Sequence, residues 1–438
     1  MKTRLSKNQT VNIITLGCAK NLVDSEVMLR QLQAAGFNTL HEDAAEADVV
    51  IINTCGFIND AKEESVNTIL HWAKARKSGD IDKLLVMGCL SQRYKDDLIK
   101  EIPEVDAFFG VNDVNAILQS LNATYREALL GERVITTPSH YAYLKISEGC
   151  DRNCSFCAIP GIRGRNISRT IESLVTETEF LVEKGVKELI LIAQDLTYYG
   201  LDLYSKRMLP ALLEELVKVS GIEWIRLHYA YPAGFPLELL DVMNKHSKIC
   251  KYIDIPLQHI NSNILKSMHR GIDEDGTRKL VQTIREKVPG IAIRSSFIVG
   301  YPGETAKDFA GLRDFIRESE FERLGVFTYS HEENTPASAL EDNVRPAAKA
   351  RRAEELMLIQ QDISAARNKS FEGKSVQVII DKKEEGKWIG RTQFDSPEVD
   401  NEVIITDNSG TLAPGCIVNV SVTSSDIYDL IAVYPENQ

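Results

Sequence analysis

Three things are missing from this chain of 438 residues, and each removes a class of protein. No apolar run approaches the roughly 20 residues that a bilayer demands, so nothing reads as a membrane span. A basic excess is absent too: 51 Lys and Arg face 63 Asp and Glu, a net charge of −12. That argues against a broadly basic nucleic-acid binder and permits a basic protein partner. A leader is the third absence. Met1–Thr10 is polar and the apolar run after it, Val11–Leu16, is too short for a signal peptide, so a cytoplasmic protein is expected. In that compartment eight cysteines point to ligands before disulfides. The length suggests about three domains at roughly 150 residues each.

What is present starts with Gly149–Cys157, G-C-D-R-N-C-S-F-C. Cys150, Cys154 and Cys157 form a C-x₃-C-x₂-C run, a spacing at which thiolates fold onto three corners of an iron–sulfur cubane. No fourth cysteine lies near by, so one iron would stay open, as catalytic metal sites do and structural ones do not. Phe156 would set an apolar ring against such a cluster. The plainer alternatives are a zinc knuckle or three packed cysteines. Zinc would want a fourth ligand, for which His140 is the candidate at hand.

Residues 1–138 are expected to form a first domain, in which residues 1–120 alternate strand and helix and the rest carry no strong period before Arg133–Thr136. Val11–Leu16, Val49–Asn53 and Lys83–Met87 read as strands; Asn21–Ala34, Ala61–Ala75 and Tyr94–Glu101 read as helices. That order implies a parallel sheet covered on its faces. Each strand ends in a cysteine: Gly17-Cys18, Thr54-Cys55, Gly88-Cys89. Open parallel sheets bind ligands at the carboxyl ends of their strands, so these three share one rim and can converge. The alternative is three buried structural cysteines.

Residues 139–344 give six more strand–helix pairs, with strands at Ala142–Ile146, Glu188–Ala193, Trp224–Tyr229, Lys251–Ile255, Ala292–Val299 and Gly325–Tyr329. Six pairs make a partial barrel, short of the eight of a closed one. The cysteine run follows the first strand, on the carboxyl rim. Gln194-Asp195 follows the second strand and can reach a ribose or a substrate, or simply make a turn. Gly300-Tyr301-Pro302-Gly303-Glu304 follows the fifth, its glycines permitting close backbone approach. Arg163 and Arg165 could pair with a carboxylate of a ligand or lie in solvent.

Residues 345–371 read as one connecting helix. Residues 372–438 read as five short strands, a small antiparallel β-barrel of the oligonucleotide-binding type. From Lys374 onward there are five basic and eleven acidic residues, so this barrel is expected to suit a cationic partner rather than nucleic acid. Cys250 and Cys416 stand alone and are expected to be packed or incidental.

With its cysteine run, the chain resembles the radical SAM enzymes, and the order of its parts resembles their methylthiotransferase family over nearly the whole length. Further stretches carry the likeness: T-L-G-C-A-K-N-L-V-D-S-E at Thr15–Glu26, N-T-C-G-F-I at Asn53–Ile58, Q-D-L-T-Y-Y-G-L-D-L-Y at Gln194–Tyr204 and H-Y-A-Y-P at His228–Pro232. These are similar to the branch that modifies an aspartate β-carbon of ribosomal protein uS12. The tRNA-modifying branch typically has Gln-Met-Asn and Ser-Val-Arg where this chain has Ala19-Lys20-Asn21 and Gly56-Phe57-Ile58. The resemblance implies two 4Fe–4S clusters, an auxiliary one on Cys18, Cys55 and Cys89 and a radical SAM one on Cys150, Cys154 and Cys157. It implies S-adenosylmethionine (SAM) as methyl donor and as radical source, an electron donor that it does not identify, and a C-terminal TRAM domain. It places SAM beside Phe156, Gln194, Gly300, Pro302, Gly303 and Glu304. The competing expectations are tRNA adenosine methylthiolation and a non-catalytic iron–sulfur protein that binds a partner.

Overall fold

The computed structural model describes residues 9–43, 46–407 and 409–435. The polar start through Asn8 and the acidic Glu436 lie outside the described residues. The chain forms two compact units. One takes Met1–Thr137, Glu148–Arg152 and Ala158–Ile167; the other takes Pro138–Ser147, Asn153–Cys157 and Ser168–Gln438.

In the first unit β1 (Thr10–Thr15), α1 (Ala19–Ala35), β2 (Asn38–His41), β3 (Val49–Thr54), α2 (Asn59–Ser78), β4 (Lys83–Gly88), α3 (Cys89–Glu101), β5 (Ala107–Phe108) and α4 (Val114–Ser120) succeed one another, and α5 (Ile159–Arg163) joins them from later in the chain. The sheet is parallel, in the order β2-β1-β3-β4-β5. β3 is buried along its whole length, as a strand covered on both faces must be. Its alternation divides the core. Val49 and Ile51 pack with Met28 and Leu32 of α1 and Ile117 of α4, while Val50 and Ile52 pack with Ile69 of α2 and Leu98 of α3. The helix expected from Tyr94 begins five residues earlier, at Cys89, because its geometry breaks at Tyr94. β2 and β5 were not expected: one is a half-exposed edge, the other two residues long.

The second unit begins with β6 (Tyr141–Lys145); the short strands β7 (Ser147–Glu148) and β8 (Ile167–Ser168) each fall where the chain passes from one unit to the other. Strands β9 (Glu188–Ile192), β10 (Trp224–Leu227), β11 (Ile249–Asp254), β12 (Ala292–Val299) and β13 (Arg323–Thr328) extend β6 into a six-stranded parallel sheet, in the order β6-β9-β10-β11-β12-β13. This is the expected open barrel. Helices α6 (Ile171–Glu183), α7 (Leu201–Tyr204), α8 (Leu209–Leu216), α9 (Glu238–Lys245), α10 (Ser262–Ser267), α11 (Glu274–Lys287) and α12 (Ala306–Ser319) intervene, and α13 (Pro346–Lys369) packs on the last strand.

A closed five-stranded barrel completes this unit: β14 (Ser375–Glu384), β15 (Lys387–Thr392), β16 (Val403–Asp407), β17 (Ile417–Ser425) and β18 (Leu430–Tyr434) in the order β14-β15-β16-β18-β17. Four pairings are antiparallel, and β16 with β18 is parallel. An odd number of strands cannot close with every neighbour reversed, so one parallel pair is a necessity of the ring.

This barrel is fixed to the amino-terminal end of the parallel sheet by buried charge. Glu188, which opens β9, accepts from Arg226 Nε at 2.7 Å and from Arg391 Nη2 at 2.7 Å, with all three side chains at 0–2% exposure. Arg391 also pairs with Asp381, which meets His140 Nε2 at 2.7 Å. Arg323, which opens β13, donates to Asp395 at 2.9 Å, and Arg294 and Tyr252 both reach Asp400. Tyr141, which opens β6, donates to Glu398. Two expectations are corrected here. His140 is enclosed against Asp381 and is no zinc ligand for the cysteine run. The acidity of the barrel is only in part a surface for a cationic partner, because three of its eleven acidic residues, Asp381, Asp395 and Asp400, neutralise arginines from both parts of this unit. Counting charges along a sequence cannot show such pairing. Cys250 is packed as expected, beside Trp224, Tyr252 and Ile379, and burial pushes its thiol up to about 12.

Burial alone would raise the pKa of Glu188 and Asp381. Arg391 and Arg226 outweigh it at Glu188, and His140 and Arg391 at Asp381, so both are held below the usual carboxylate range. Stability from a depressed carboxylate is present above its unfolded value and lost as pH falls through its folded one. Arg391→Met removes one of two partners from each of Glu188 and Asp381 and should cost about 3 kcal/mol in denaturant unfolding at neutral pH. The gap from the parent protein should narrow as the solution is acidified through the folded pKa values.

Candidate active site

The order β2-β1-β3-β4-β5 reverses direction between β1 and β3, and a crevice opens at such a switch point beyond the carboxyl ends. Cys18 follows β1 and Cys55 follows β3, one on each side of that point; Cys89 follows β4. Gly17, at φ +94°, has no room for a side chain: a Cβ there would stand 2.9 Å from the Cys55 sulfur. The strand ends are laced together by Asn21, whose amide donates to Leu16 O at 2.7 Å and Thr54 O at 3.2 Å. Its Oδ1 faces the Cys89 thiol at 3.9 Å. Cys18 is exposed, while Cys55 and Cys89 are buried.

Arg163 brings the charge. It is buried, and its Nη2 donates to Asn21 Oδ1 at 2.5 Å and its Nη1 to Glu148 at 2.9 Å and Asp24 at 3.2 Å. Burial opposes that charge, but Asp24, Cys89 and Glu148 outweigh it, so the guanidinium is held above its usual range. Burial pushes the Cys89 thiol up to about 11 and raises Cys55 as well, and Arg163 opposes both shifts. Metal binding needs thiolates, so a cation beside them favours the form that binds. Among the described residues no three His, Cys, Asp or Glu are grouped for a single ion. Three thiols on separate strand ends, a glycine cradle and a buried cation instead fit a cluster, whose ligands hold different irons. Arg163 is therefore committed within its unit, while Arg165 is 89% exposed and pairs with Asp151.

The division of the chain falls inside the cysteine run, with Cys150 in the first unit and Cys154 and Cys157 in the second. Cys150 N donates to Gly164 O at 3.0 Å. Cys157 N donates to Cys154 O at 3.1 Å, which makes a turn of those four residues. Ser155 anchors that turn: its N donates to Met268 O, its hydroxyl to Ser267 O, and its own carbonyl accepts from Ala337 N. The Phe156 ring packs with Met268, Tyr301 and Tyr329. Cys154 has two close neighbours, Arg270 Nη1 at 3.3 Å and the Tyr231 hydroxyl at 3.6 Å.

Gln194 is half-buried at the end of β9, and Asp195 caps the turn after it by accepting from Thr197 N at 2.8 Å. The loop after β12 is shaped from within. Glu304 is buried, accepts from Gly300 N at 2.7 Å and pairs with Arg352 at 2.6 Å. Gly300, at φ +73°, is required because a Cβ would overlap Lys349 Cγ at 2.2 Å, a constraint from α13 rather than from a ligand. Pro302 is buried, and Gly303 is exposed with its N donating to Asn343. Of this loop only Gly303 offers open space; Glu304 acts by fixing its shape. Thr305 and Asp308 then close a capping box that starts α12.

Comparison with known proteins decides the family. The uncharacterized protein family UPF0004 matches residues 10–110, the radical SAM superfamily residues 144–316 and the TRAM domain residues 373–434. The ribosomal protein uS12 methylthiotransferase RimO of Flavobacterium psychrophilum is 56% identical over 98% of this chain and 99% of its own length. That of Cytophaga hutchinsonii is 54% identical over 98% and 99%, and that of Bacteroides thetaiotaomicron 52% over 97% and 98%. The chain belongs to the RimO family.

Solved structures extend the likeness of fold. The radical SAM methyltransferase TsrM of Kitasatospora setae, with tryptophan and a SAM analogue bound, matches with TM-score 0.59 at 14% identity, over 82% of this chain and 90% of that one. The cobalamin-dependent radical enzyme OxsB matches with TM-score 0.52 at 12% identity, over 81% and 56%. Within this RimO-family chain, sequence reasoning gave no role to Asn21, Asp24, Tyr231 or Arg270. Asn21 and Asp24 stand in the stretch after Cys18, and their spacing on α1 was the available signal. Arg270 carried none, since it is 116 residues from the cysteine it meets.

The two arginines separate in a simple test. Arg163→Met takes a buried cation away from Asp24 and Glu148 and should lower unfolding stability by about 3–5 kcal/mol. Arg165→Met, in solvent, should stay within about 0.5 kcal/mol of the parent protein. Equal losses in urea unfolding would contradict the assignment.

Proposed function

We propose that this protein replaces a hydrogen on the β-carbon of an aspartate in ribosomal protein uS12 with a methylthio group, using one SAM as methyl donor and another as radical source. The observation that carries the reading is identity of 52–56% over nearly the whole chain to relatives named for that activity. All of those relatives are named for a protein substrate, which disfavours the tRNA reading. No side-chain base works on such a hydrogen, because general bases operate with pKa values near 7. Iron–sulfur clusters and SAM supply, when bound, the one-electron and sulfur chemistry that the side chains lack.

The chain's own residues then have assignable parts. Cys18, Cys55 and Cys89 hold an auxiliary 4Fe–4S cluster at the switch point of the first sheet, with Arg163 as its cation. Cys150, Cys154 and Cys157 hold the radical SAM cluster. Phe156, Gln194 and Gly303 lie toward SAM, and Gly300, Pro302 and Glu304 give the loop its shape. A low-potential electron donor is required as a partner. The setting is the cytoplasm, where uS12 is made; no helix among the described residues is long and apolar enough to cross a membrane.

Anaerobic reconstitution should give about eight irons per chain, two 4Fe–4S clusters. Replacing Cys150, Cys154 and Cys157 by Ala should halve the iron and abolish SAM cleavage. Replacing Cys18, Cys55 and Cys89 should halve the iron and leave reductive SAM cleavage intact. Full iron in the second variant removes the auxiliary site. Mass spectrometry of uS12 and of tRNA after turnover checks the substrate: a methylthio adduct on tRNA alone would overturn the assignment.

A further inference from the structure

Five arginines of the described residues are more than nine-tenths buried: Arg133, Arg163, Arg226, Arg270 and Arg391. Four of them face carboxylates: Arg133 pairs with Glu26, Arg163 with Asp24 and Glu148, Arg226 with Glu188, and Arg391 with Glu188 and Asp381. Arg270 is the exception. At 4% exposure it has no carboxylate partner, and its Nε has no hydrogen-bond partner. Its Nη2 donates to the carbonyl of Pro256, and its Nη1 donates to Cys154 Sγ at 3.3 Å. The guanidinium stacks on the Tyr231 ring at 4.2 Å, and the Tyr231 hydroxyl donates to Arg270 O at 3.0 Å while standing 3.6 Å from the same sulfur.

A guanidinium does not shed its proton in a protein, so burial leaves it charged and in need of an anion. Carbonyls and an aromatic face orient it without neutralising it. The atom within its reach that can carry negative charge is the Cys154 sulfur, and it does so when it is a metal-bound thiolate. The surroundings hold this geometry firmly. His269, at φ +56°, turns the chain so that Met268 O meets Ser155 N at 3.1 Å, and its own Nδ1 lies 3.1 Å from Asn153 O. One turn thus grips the cysteine loop and presents Arg270 to it.

Resting on the proposed cluster at Cys150, Cys154 and Cys157, we infer that Arg270, braced by Tyr231, is the cation that hydrogen-bonds the Cys154 thiolate and raises the reduction potential of that cluster. Hydrogen bonds to cluster sulfurs and local charge both set such potentials, and a neighbouring cation favours the reduced, more negative state. Arg270 is a positioning and tuning residue; it acts through Cys154 and fixes how easily one electron enters.

The test is an EPR-monitored redox titration of the full-length reconstituted enzyme with dithionite, following the signal that changes when SAM is added. Arg270→Met should retain the parent iron content and require a potential lower by about 59 mV, a tenfold shift in a one-electron equilibrium. Arg270→Lys, which restores charge without the planar stack, should recover part of the shift. Tyr231→Phe, which keeps the ring and removes the hydroxyl, should shift the same way by less. A merely structural brace would lower cluster content without moving the potential. Unchanged midpoints in Arg270→Met and Tyr231→Phe at full iron would overturn the inference. Should Arg270→Met fail to fold, unchanged midpoints in the Lys and Phe variants overturn it equally. A parent enzyme with no SAM-responsive cluster would instead bring down the function reading, and this inference with it.

Discussion

Parallel strands deliver all their carboxyl ends to one rim and all their amino ends to the other, and the organisation of this protein depends on that constraint. In each unit the chemistry-bearing residues follow strands: Cys18, Cys55 and Cys89 in the first sheet, Cys154, Tyr231 and the Gly300 loop in the second. The amino rim of the second sheet is thereby left free, and the C-terminal barrel occupies it. Tyr141, Glu188 and Arg323, each the first residue of its strand, are the residues that meet it. The barrel leaves the carboxyl rim clear, so the site and the supporting contacts do not compete for the same end of the strands.

Charge inside the molecule follows a consistent rule. Buried guanidinium groups are placed where an anion exists, and the kind of anion separates support from function. Glu188, between Arg226 and Arg391, is a structural anion: its pairs join the barrel to the sheet, and the one thiol beside them among the described residues, Cys250, is pushed up to about 12 by burial. Arg163 stands at the border, shared between Asp24, Glu148 and the Cys89 thiol. Arg270 has no carboxylate partner among the described residues and donates to the Cys154 sulfur and the Pro256 carbonyl. The pairing of each arginine, not its burial, tells its role.

Much of the fold was legible because it is written in local period. β12 and α11 fall on the residues that their hydrophobic spacing predicts, Ala292–Val299 and Glu274–Lys287. The shared rim of Cys18, Cys55 and Cys89 was legible because each closes a strand, and strand direction is enough to place them there. The unread parts are non-local. Arg270 and Tyr231 reach Cys154 from loops 116 and 77 residues away, and no spacing rule covers such a distance. Part of the barrel's acidity was misread for the same reason: Asp400 is matched to Arg294, 106 positions earlier. Gly300 was read as room for a ligand, and it is room for Lys349.

The route of the chain through the cysteine run has a consequence for descent. It passes from one unit to the other five times between Thr137 and Ser168, so the first unit is not a cassette that ends where its sheet ends. A fragment cut after Thr137 would keep Asp24 and Asn21 and lose Arg163, which satisfies both. Gene fusion and exchange act on contiguous stretches, yet here the stretch matched by the N-terminal family, residues 10–110, omits the arginine that its own cysteines face. No single contiguous exchange ending where the first sheet ends would carry that bond with it, so the first unit is inherited together with the five residues of helix that lie beyond it.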